Sequence, residues 1–393
     1  MEPTDRDLRT ILSVQALRAG VYGFGSVILG SSLAAAGRSE VEVGLVFTAM
    51  LAGNGLAAFW VGLRGDRLGR RRLYRGFLLV MGAAGAVYAI TTSVPALVLA
   101  ALTGTLSTDP NESGPVTSLE QAMIGGAAAE ARAGVFGRYN AVAYLAGAVG
   151  ALMAGGPTAL RELWALPADH RFLLAFPLVA LACALLASRL SAGVEVGGPV
   201  RRPLQRSRSN VRKLAALFSL DSFAGGFVVT TFVVFWFQRR FGASPELMGL
   251  VVFCAGLLQA GSSIVAARLG ARFGLLRTAV FTHIPSNALL ALVPVMPTLG
   301  TAIAMLLARF ALSQMDVPTR QAYLAALVDP EERTAAAAFT NTARYVSRPI
   351  APSIGGALMQ VSTGAPFLVA GTLKIGYDLL LWRTFRGVEP PEP

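Results

Sequence analysis

Gly62-Leu63-Arg64-Gly65-Asp66-Arg67-Leu68-Gly69-Arg70-Arg71-Arg72 sets five arginines and one acid between two long apolar runs. Charge this dense, flanked by segments this apolar, marks a connection held on the cytoplasmic face of a membrane. Three glycines and a lone Asp66 add a second reading, a tight turn of specific geometry.

The rest of the chain agrees with a membrane setting. Of 393 residues 54% are hydrophobic and only 14% charged, whereas a soluble domain carries about 25% charge. The formal net charge of +12 would suggest nucleic acid in a soluble protein. Here the basic residues fall between apolar runs, so they read as topology signals, and no nucleic-acid partner is expected. Lysine occurs only at Lys213 and Lys374. Cys183 and Cys254 lie inside apolar runs and read as small buried residues. No zinc spacing, phosphate-cradling turn or nucleophile–base set occurs, so neither a metal, a cofactor nor an enzyme activity is expected. The N-terminus lacks a secretory basic region, which predicts that the first apolar run is retained as a helix.

A bilayer-spanning helix needs about 20 mostly apolar residues. Twelve such runs are present, at 10–36, 41–63, 73–92, 95–121, 133–158, 170–189, 211–238, 244–268, 275–296, 298–324, 333–361 and 364–386. With both termini inside, the cytoplasmic connections hold Arg6, Arg9, Arg64 to Arg75, Arg132, Arg189 to Lys213, Arg268, Arg272, Arg277, Arg333, Arg383 and Arg386. The outer ones hold Arg38, Arg161, Arg171, Arg239 and Arg240. This asymmetry predicts cytoplasmic termini, and the plasma membrane is the expected location. Residues 190–210 are polar and broken by Gly and Pro, as in a linker. They divide a bundle over 1–189 from a second over 211–393. The halves look related: Gln15 to Phe24, with Arg18, lines up with Phe218 to Phe227, with Asp221, and Glu120-Gln121-Ala122 with Arg320-Gln321-Ala322. Tandem halves of this kind are the layout of a parallel-repeat transporter.

The opening stretch resembles the connection between helices 2 and 3 of the major facilitator superfamily, Gly-x-Leu-Ala-Asp-Arg-x-Gly-Arg-Arg. Gly62, Asp66, Arg67, Gly69, Arg70 and Arg71 match; Gly65 stands for Ala and Arg64 for the usual Leu. The counterpart between helices 8 and 9, Ala267 to Gly274, keeps two glycines and basic residues without the acid. The resemblance implies an all-α integral membrane protein of two pseudo-symmetric six-helix bundles, the major facilitator fold. It also implies a gating role for Gly62, Gly65, Asp66, Arg67, Gly69, Arg70 and Arg71, with Asp66 as a latch; the plainer reading is a topogenic turn. The family's Arg-bearing helix 4 signature is absent. Its helix 5 antiporter signature, Gly-Pro-x-x-Gly-Gly, is hinted at in Gly147, Gly150 and Gly155-Gly156-Pro157. A closer copy, Ala351-Pro352-Ser353-Ile354-Gly355-Gly356, lies in helix 11.

Intramembrane charges cost roughly 2.5–3.5 kcal/mol each on the insertion scale, so each needs a partner, a wet cavity or a task. Helical spacing sorts them into stripes. Helix 1 carries Gln15, Arg18, Tyr22 and Ser26; helix 4 Thr105, Asp109 and Glu112; helix 10 Arg309, Ser313, Asp316 and Arg320; helix 11 Asn341, Arg344, Arg348 and Pro352. Helix 7 adds Asp221, and helix 12 adds Lys374 and Asp378, spaced to satisfy each other. The resemblance places helices 1, 4, 7 and 10 on a central cavity. Asp109 and Glu112 are the proton-coupling candidates, because two close carboxylates of low dielectric raise one proton affinity. The alternative is a structural bridge, as between Arg18 and Asp109 or Glu112, or between Asp316 and Arg309 or Arg320. Arg18, Tyr22, Asp221, Arg309, Asp316, Asn341, Arg344 and Arg348 are the substrate-binding candidates. Arg344 and Arg348 have no acid on their own helix and suit an anion best. Pro110, Pro115, Pro318, Pro349 and Pro352 are expected to break helices near these charges. His170 opens helix 6 in an outer connection, and His283 is expected on a peripheral helix; neither reads as a ligand.

The expected function is secondary transport of a small solute by a monomer in the bilayer. The first expectation is proton-coupled antiport, with efflux of a drug-like, metabolite or metalloid-type anionic compound. The alternative is proton-coupled uptake of an organic or phosphate-containing anion. A receptor or scaffold that moves nothing is the remaining class.

Overall fold

The computed structural model describes residues 4–107, 114–124, 129–157, 160, 164, 169–195, 205–329 and 332–388, and these are mainly helical in the apolar runs. In the first half run α1 (Asp5–Ala35), α2 (Glu40–Leu68), α3 (Arg70–Ile90), α4 (Val94–Leu102), α5 (Pro115–Ile124), α6 (Ala129–Leu152) and α7 (Ala175–Ala187). In the second run α8 (Arg208–Gly226), α9 (Thr230–Phe241), α10 (Pro245–Phe273), α11 (Leu275–Leu292), α12 (Leu299–Ser313), α13 (Asp316–Leu327), α14 (Arg333–Ser347), α15 (Ala351–Val361) and α16 (Ala365–Phe385). Each of the twelve apolar runs falls on one of these helices or on a consecutive pair. Among the described residues, seven helical stretches are long and apolar enough by themselves to cross a membrane.

The helix ends follow from local chemistry. Thr4 and Asp7 form a capping box at α1, with Asp7 N–H donating to Thr4 Oγ1 at 3.2 Å and Thr4 N–H to Asp7 Oδ2 at 3.0 Å. Ser39 with Glu42 does the same for α2, and Thr298 with Thr301 for α12. The basic stretch is almost entirely helix. Residues through Leu68 end α2, Arg70 begins α3, and the expected loop contracts to Gly69 at φ +86°. Its counterpart turns on Gly274 at φ +92°. Only glycine adopts these angles at little cost, which is why both turns carry one.

Four apolar runs are interrupted. Residues 103–107 and 114, the described ones there, lie between α4 and α5, Phe227–Val229 separate α8 from α9, Gln314–Met315 separate α12 from α13, and Arg348–Ile350 separate α14 from α15. Pro349 lies in the last break, and Pro115 and Pro352 lie in the first turns of α5 and α15, as expected of residues lacking an N–H. Pro318 sits in the first turn of α13. The α8–α9 break has no proline; Gly225 and Gly226 precede it.

The chain packs as two units, Met1–Pro199 with Val229–Phe253, and Val200–Val228 with Cys254–Pro393. In the first, α1 lies against α6, α7 and α9. A Cβ on Gly23 would meet Gly147 O at 1.9 Å and one on Gly150 would meet Gly20 O at 1.9 Å, so α1 and α6 approach backbone to backbone. In the second, α11 packs on α16, α12 and α13, while α8 packs on α14 and α16.

Candidate functional site

Two buried ionic clusters face the interior, one in each unit. In the first, Arg18 of α1 donates to Glu120 Oε2 of α5 at 2.5 Å, and both side chains are essentially inaccessible. Tyr74 OH donates to Glu120 Oε1 at 2.7 Å and Tyr139 OH to Oε2 at 2.5 Å, while Gln15 accepts from Arg18. Arg18 therefore pairs with Glu120, one helix segment beyond the carboxylates expected to hold it. Asp109 and Glu112 lie outside the described residues. Tyr22 stacks under the Arg18 guanidinium at 5.4 Å and donates to Thr105 O. With Asn54, Thr117 and Gly114 these residues line a cavity of 10 Å³, the room of one water.

In the second unit the expected Lys374–Asp378 pair does not form. Lys374 donates instead to Asp221 Oδ1 at 2.5 Å, and Arg320 donates to Asp221 Oδ2 at 3.0 Å. Arg320 also reaches Asp316 Oδ2 at 3.4 Å, the i,i+4 bridge allowed for by helical spacing, and its guanidinium lies 4.9 Å from the Phe218 ring. Asp378, one turn beyond Lys374, pairs with His283 Nδ1 at 2.9 Å and accepts from Asn287 Nδ2 at 3.1 Å. His283 is 5% exposed, so the helix expected to be peripheral buries its histidine. The reason is tertiary: Asp221 on α8 outcompetes the same-helix acid for the lysine.

Beside this network is a cavity of about 250 Å³ within the second unit. Arg320, Gln321, Thr340, Asn341 and Arg344 supply its polar wall, and Phe218, Leu324 and Ala337 its apolar one. The broken runs bring α8, α13 and α14 together here. Arg344 Nε is buried and makes no hydrogen bond. Asp221 and Asp316 are matched by Lys374 and Arg320, which leaves Arg344 as a cation on the wall with a buried Nε that has no acceptor among the described residues. Of the substrate-binding candidates, Asn341 and Arg344 thus share a cavity, Arg18 and Tyr22 share the small one, and Asp221 and Asp316 are joined by Arg320. Arg309 stacks on Phe310 at 4.8 Å, and Arg348 caps α14 at its break.

The basic stretch is held by a residue that sequence reasoning did not single out. Glu195, in a short 3-10 turn at the start of the polar linker, accepts from Arg70 N at 2.6 Å and Arg71 N at 3.1 Å, capping α3. An anion at a helix N-terminus meets unpaired N–H groups and a favourable dipole. Arg70 is buried and donates to Ala122 O at 3.1 Å and Val194 O at 3.4 Å. Gly65 is buried near Leu119, whereas Gly62 and Arg67 are exposed. Asp66 lies in the last turn of α2, and its side chain lies outside those described. The linker's far end is held in the same manner. Glu332 accepts from Gln205 N at 2.8 Å, Arg206 N at 3.0 Å and Ser207 N at 3.0 Å. These N–H groups, Ser207 first, hold its carboxyl down at about 2.

Residues 214–393 match the model of the Major Facilitator Superfamily. The second half of the chain is thus similar to the Major Facilitator Superfamily. The chain superposes on the nucleoside transporter NupG with a TM-score of 0.72 at 13% identity, over 98% of this chain and 100% of that one. Against the human organic anion transporter MFSD10 (TETRAN) the TM-score is 0.64 at 18% identity, covering 97% and 100%. By sequence it is 26% identical over 427 aligned positions to the uncharacterized membrane protein YJR124C of Saccharomyces cerevisiae, covering 98% of this chain and 95% of the relative. The match, and the seven helical stretches among the described residues that are long and apolar enough to cross a membrane, are those of a membrane protein.

Proposed function

We propose that this transporter moves a small organic or phosphate-containing anion by alternating access, with the flux coupled to protons. The observation that supports this most is Arg344. A buried guanidinium nitrogen without an acceptor is costly, and an incoming carboxylate or phosphate would supply one. The 250 Å³ cavity suits a metabolite-sized anion better than a drug-sized one. Arg320, Asn341 and Thr340 would take its remaining oxygens. Asp109 and Glu112 are the proposed proton carriers in the first half. The hairpin from Gly62 to Arg72 is the proposed gate, the protein works as a monomer in the plasma membrane, and both termini face the cytoplasm.

Electrostatics favours moving anion and proton together. An anion bound beside Arg344 raises the proton affinity of nearby groups, and by reciprocity a bound proton strengthens anion binding. Proton-driven efflux by antiport is the second reading. The Gly-Pro signatures of helices 5 and 11 and the acids of helix 4 favour it. Gly147 and Gly150 are already required by the close approach of α1 to α6, and Gly155 by Glu246, so they argue less for exchange.

The test uses proteoliposomes with a trapped pH dye, to which succinate or inorganic phosphate is added outside. Cotransport acidifies the lumen, and Arg344→Gln slows it about ten- to hundredfold, the loss of one charge-assisted contact. Alkalinisation would favour exchange. No response to a broad panel of anions would leave a receptor or scaffold.

A further inference from the structure

The second unit contains a buried titratable pair that the cavity chemistry leaves unused. His283 Nδ1 lies 2.9 Å from Asp378 Oδ1, with Asp378 0% exposed. Asn287 holds the other carboxylate oxygen at 3.1 Å, and its own Oδ1 is buried with no partner. Tyr377 closes the site, its ring edge-on to the imidazole at 6.2 Å. We infer that His283, Asp378 and Asn287 form a proton-binding site of this transporter, linked through α13 to the anion cavity.

The groups facing the pair from every packed element support this. From α16 come Asp378 and Lys374, the latter committed to Asp221 of α8. From α13 come Asp316, whose field His283 feels, and Arg320, which is bonded to both Asp316 and Asp221. From α12 comes Arg309, whose carbonyl accepts from Ser286 beside the histidine at 3.2 Å. Lys374 and Arg320 neutralise Asp221 and Asp316. The pair must then be neutral by itself in an apolar surrounding, and it is neutral with one proton, as imidazolium with carboxylate or imidazole with carboxylic acid. Loss of that proton leaves one negative charge; gain of another leaves one positive charge. Histidine is the side chain whose ordinary titration falls near neutral pH, so this is the buried pair best suited to change state under a physiological gradient. Arg320 lines the anion cavity and binds Asp316, so charge arriving in the cavity acts on the same network that faces His283.

The proposal rests on the anion reading for its coupling, but its test does not. The chain has two histidines, so His170→Gln, in an outer connection, leaves His283 as the single imidazole. Protein of this variant, labelled with ¹⁵N-histidine and placed in lipid bilayers, is titrated by NMR. The expected result is one imidazole that changes protonation, with a midpoint that falls by about 1–3 pH units when Asp378→Asn is added. An imidazole that holds one state throughout in the His170→Gln protein, or a midpoint unmoved by Asp378→Asn, overturns the site. The first of these outcomes needs no core substitution, so a folding failure of the second variant does not blur it. Succinate and inorganic phosphate separate the two readings. A midpoint raised by either anion, and no longer raised in Arg344→Gln, supports both. A titrating histidine indifferent to both anions leaves the proton site standing and overturns its link to the anion cavity.

Discussion

Arg18 with Glu120 and Asp221 with Arg320 are the same pair written with opposite signs. The internal repeat sets Arg18 opposite Asp221 and Glu120 opposite Arg320, and each half closes its own bridge, at 2.5 Å and 3.0 Å. The repeat therefore conserved the bridge and not the sign at either position. Removing one member of a buried pair strands a charge and costs about 3–5 kcal/mol, while replacing both with apolar residues of similar size is near neutral. Glu120→Ala is expected to lower the unfolding temperature in detergent sharply, and Arg18→Met with Glu120→Leu to recover most of it. Equal loss in both proteins would mean that the Tyr74 and Tyr139 hydroxyls, and not the charges, carry the stability. Glu120 was legible in the sequence only through the repeat, because its own surroundings look like any polar helix face.

Among elements, α1 and α6 depend on glycine. Gly23→Leu would drive a side chain into the Gly147 carbonyl, and no neighbouring side chain can give way. The two helices are expected to separate, with loss of folded yield that Gly76→Leu, on open surface, does not show. Gly69→Val forces a branched residue to a positive φ and is expected to cost about 1–3 kcal/mol. The linker clip at Glu332 carries a pH dependence. Its carboxyl lies at about 2 in the folded chain against 4.5 ordinarily. A depressed value means that the stabilisation is fully present above the ordinary value and is lost as pH falls through the folded one. Hydrogen exchange at Gln205 to Ser207, corrected for intrinsic rate, is expected to show protection at about pH 6 that fades towards about pH 2. Glu332→Gln should show weaker protection at about pH 6 and little further loss towards about pH 2. An identical profile in the variant would rule out the carboxylate as the clip.

At the scale of the whole molecule, topology is the quantity to check. In a protein with Cys183 and Cys254 replaced, Arg206→Cys is expected to react with an impermeant thiol reagent only in inside-out vesicles, and Thr298→Cys only in right-side-out ones. Both positions are exposed. The reverse result would invert the orientation argued from arginine placement.

The sequence alone pointed to the membrane class, the helical runs, the repeat and the resemblance to the superfamily, because these depend on composition, period and a local motif with its turn glycine. It also marked Arg344 and Asn341, which stand on one face of one helix. Tertiary structure decided the pairing. Lys374 and Asp378 are neighbours by helical spacing, yet Asp221 lies closer to the lysine's ammonium, and His283 takes the acid that remains. Arg18 finds Glu120 across 102 residues of chain. Periodicity reports which residues share a face, whereas a buried charge is satisfied by whatever opposite charge the packing of other helices brings within about 3 Å, and that distance is set only when the helices are assembled.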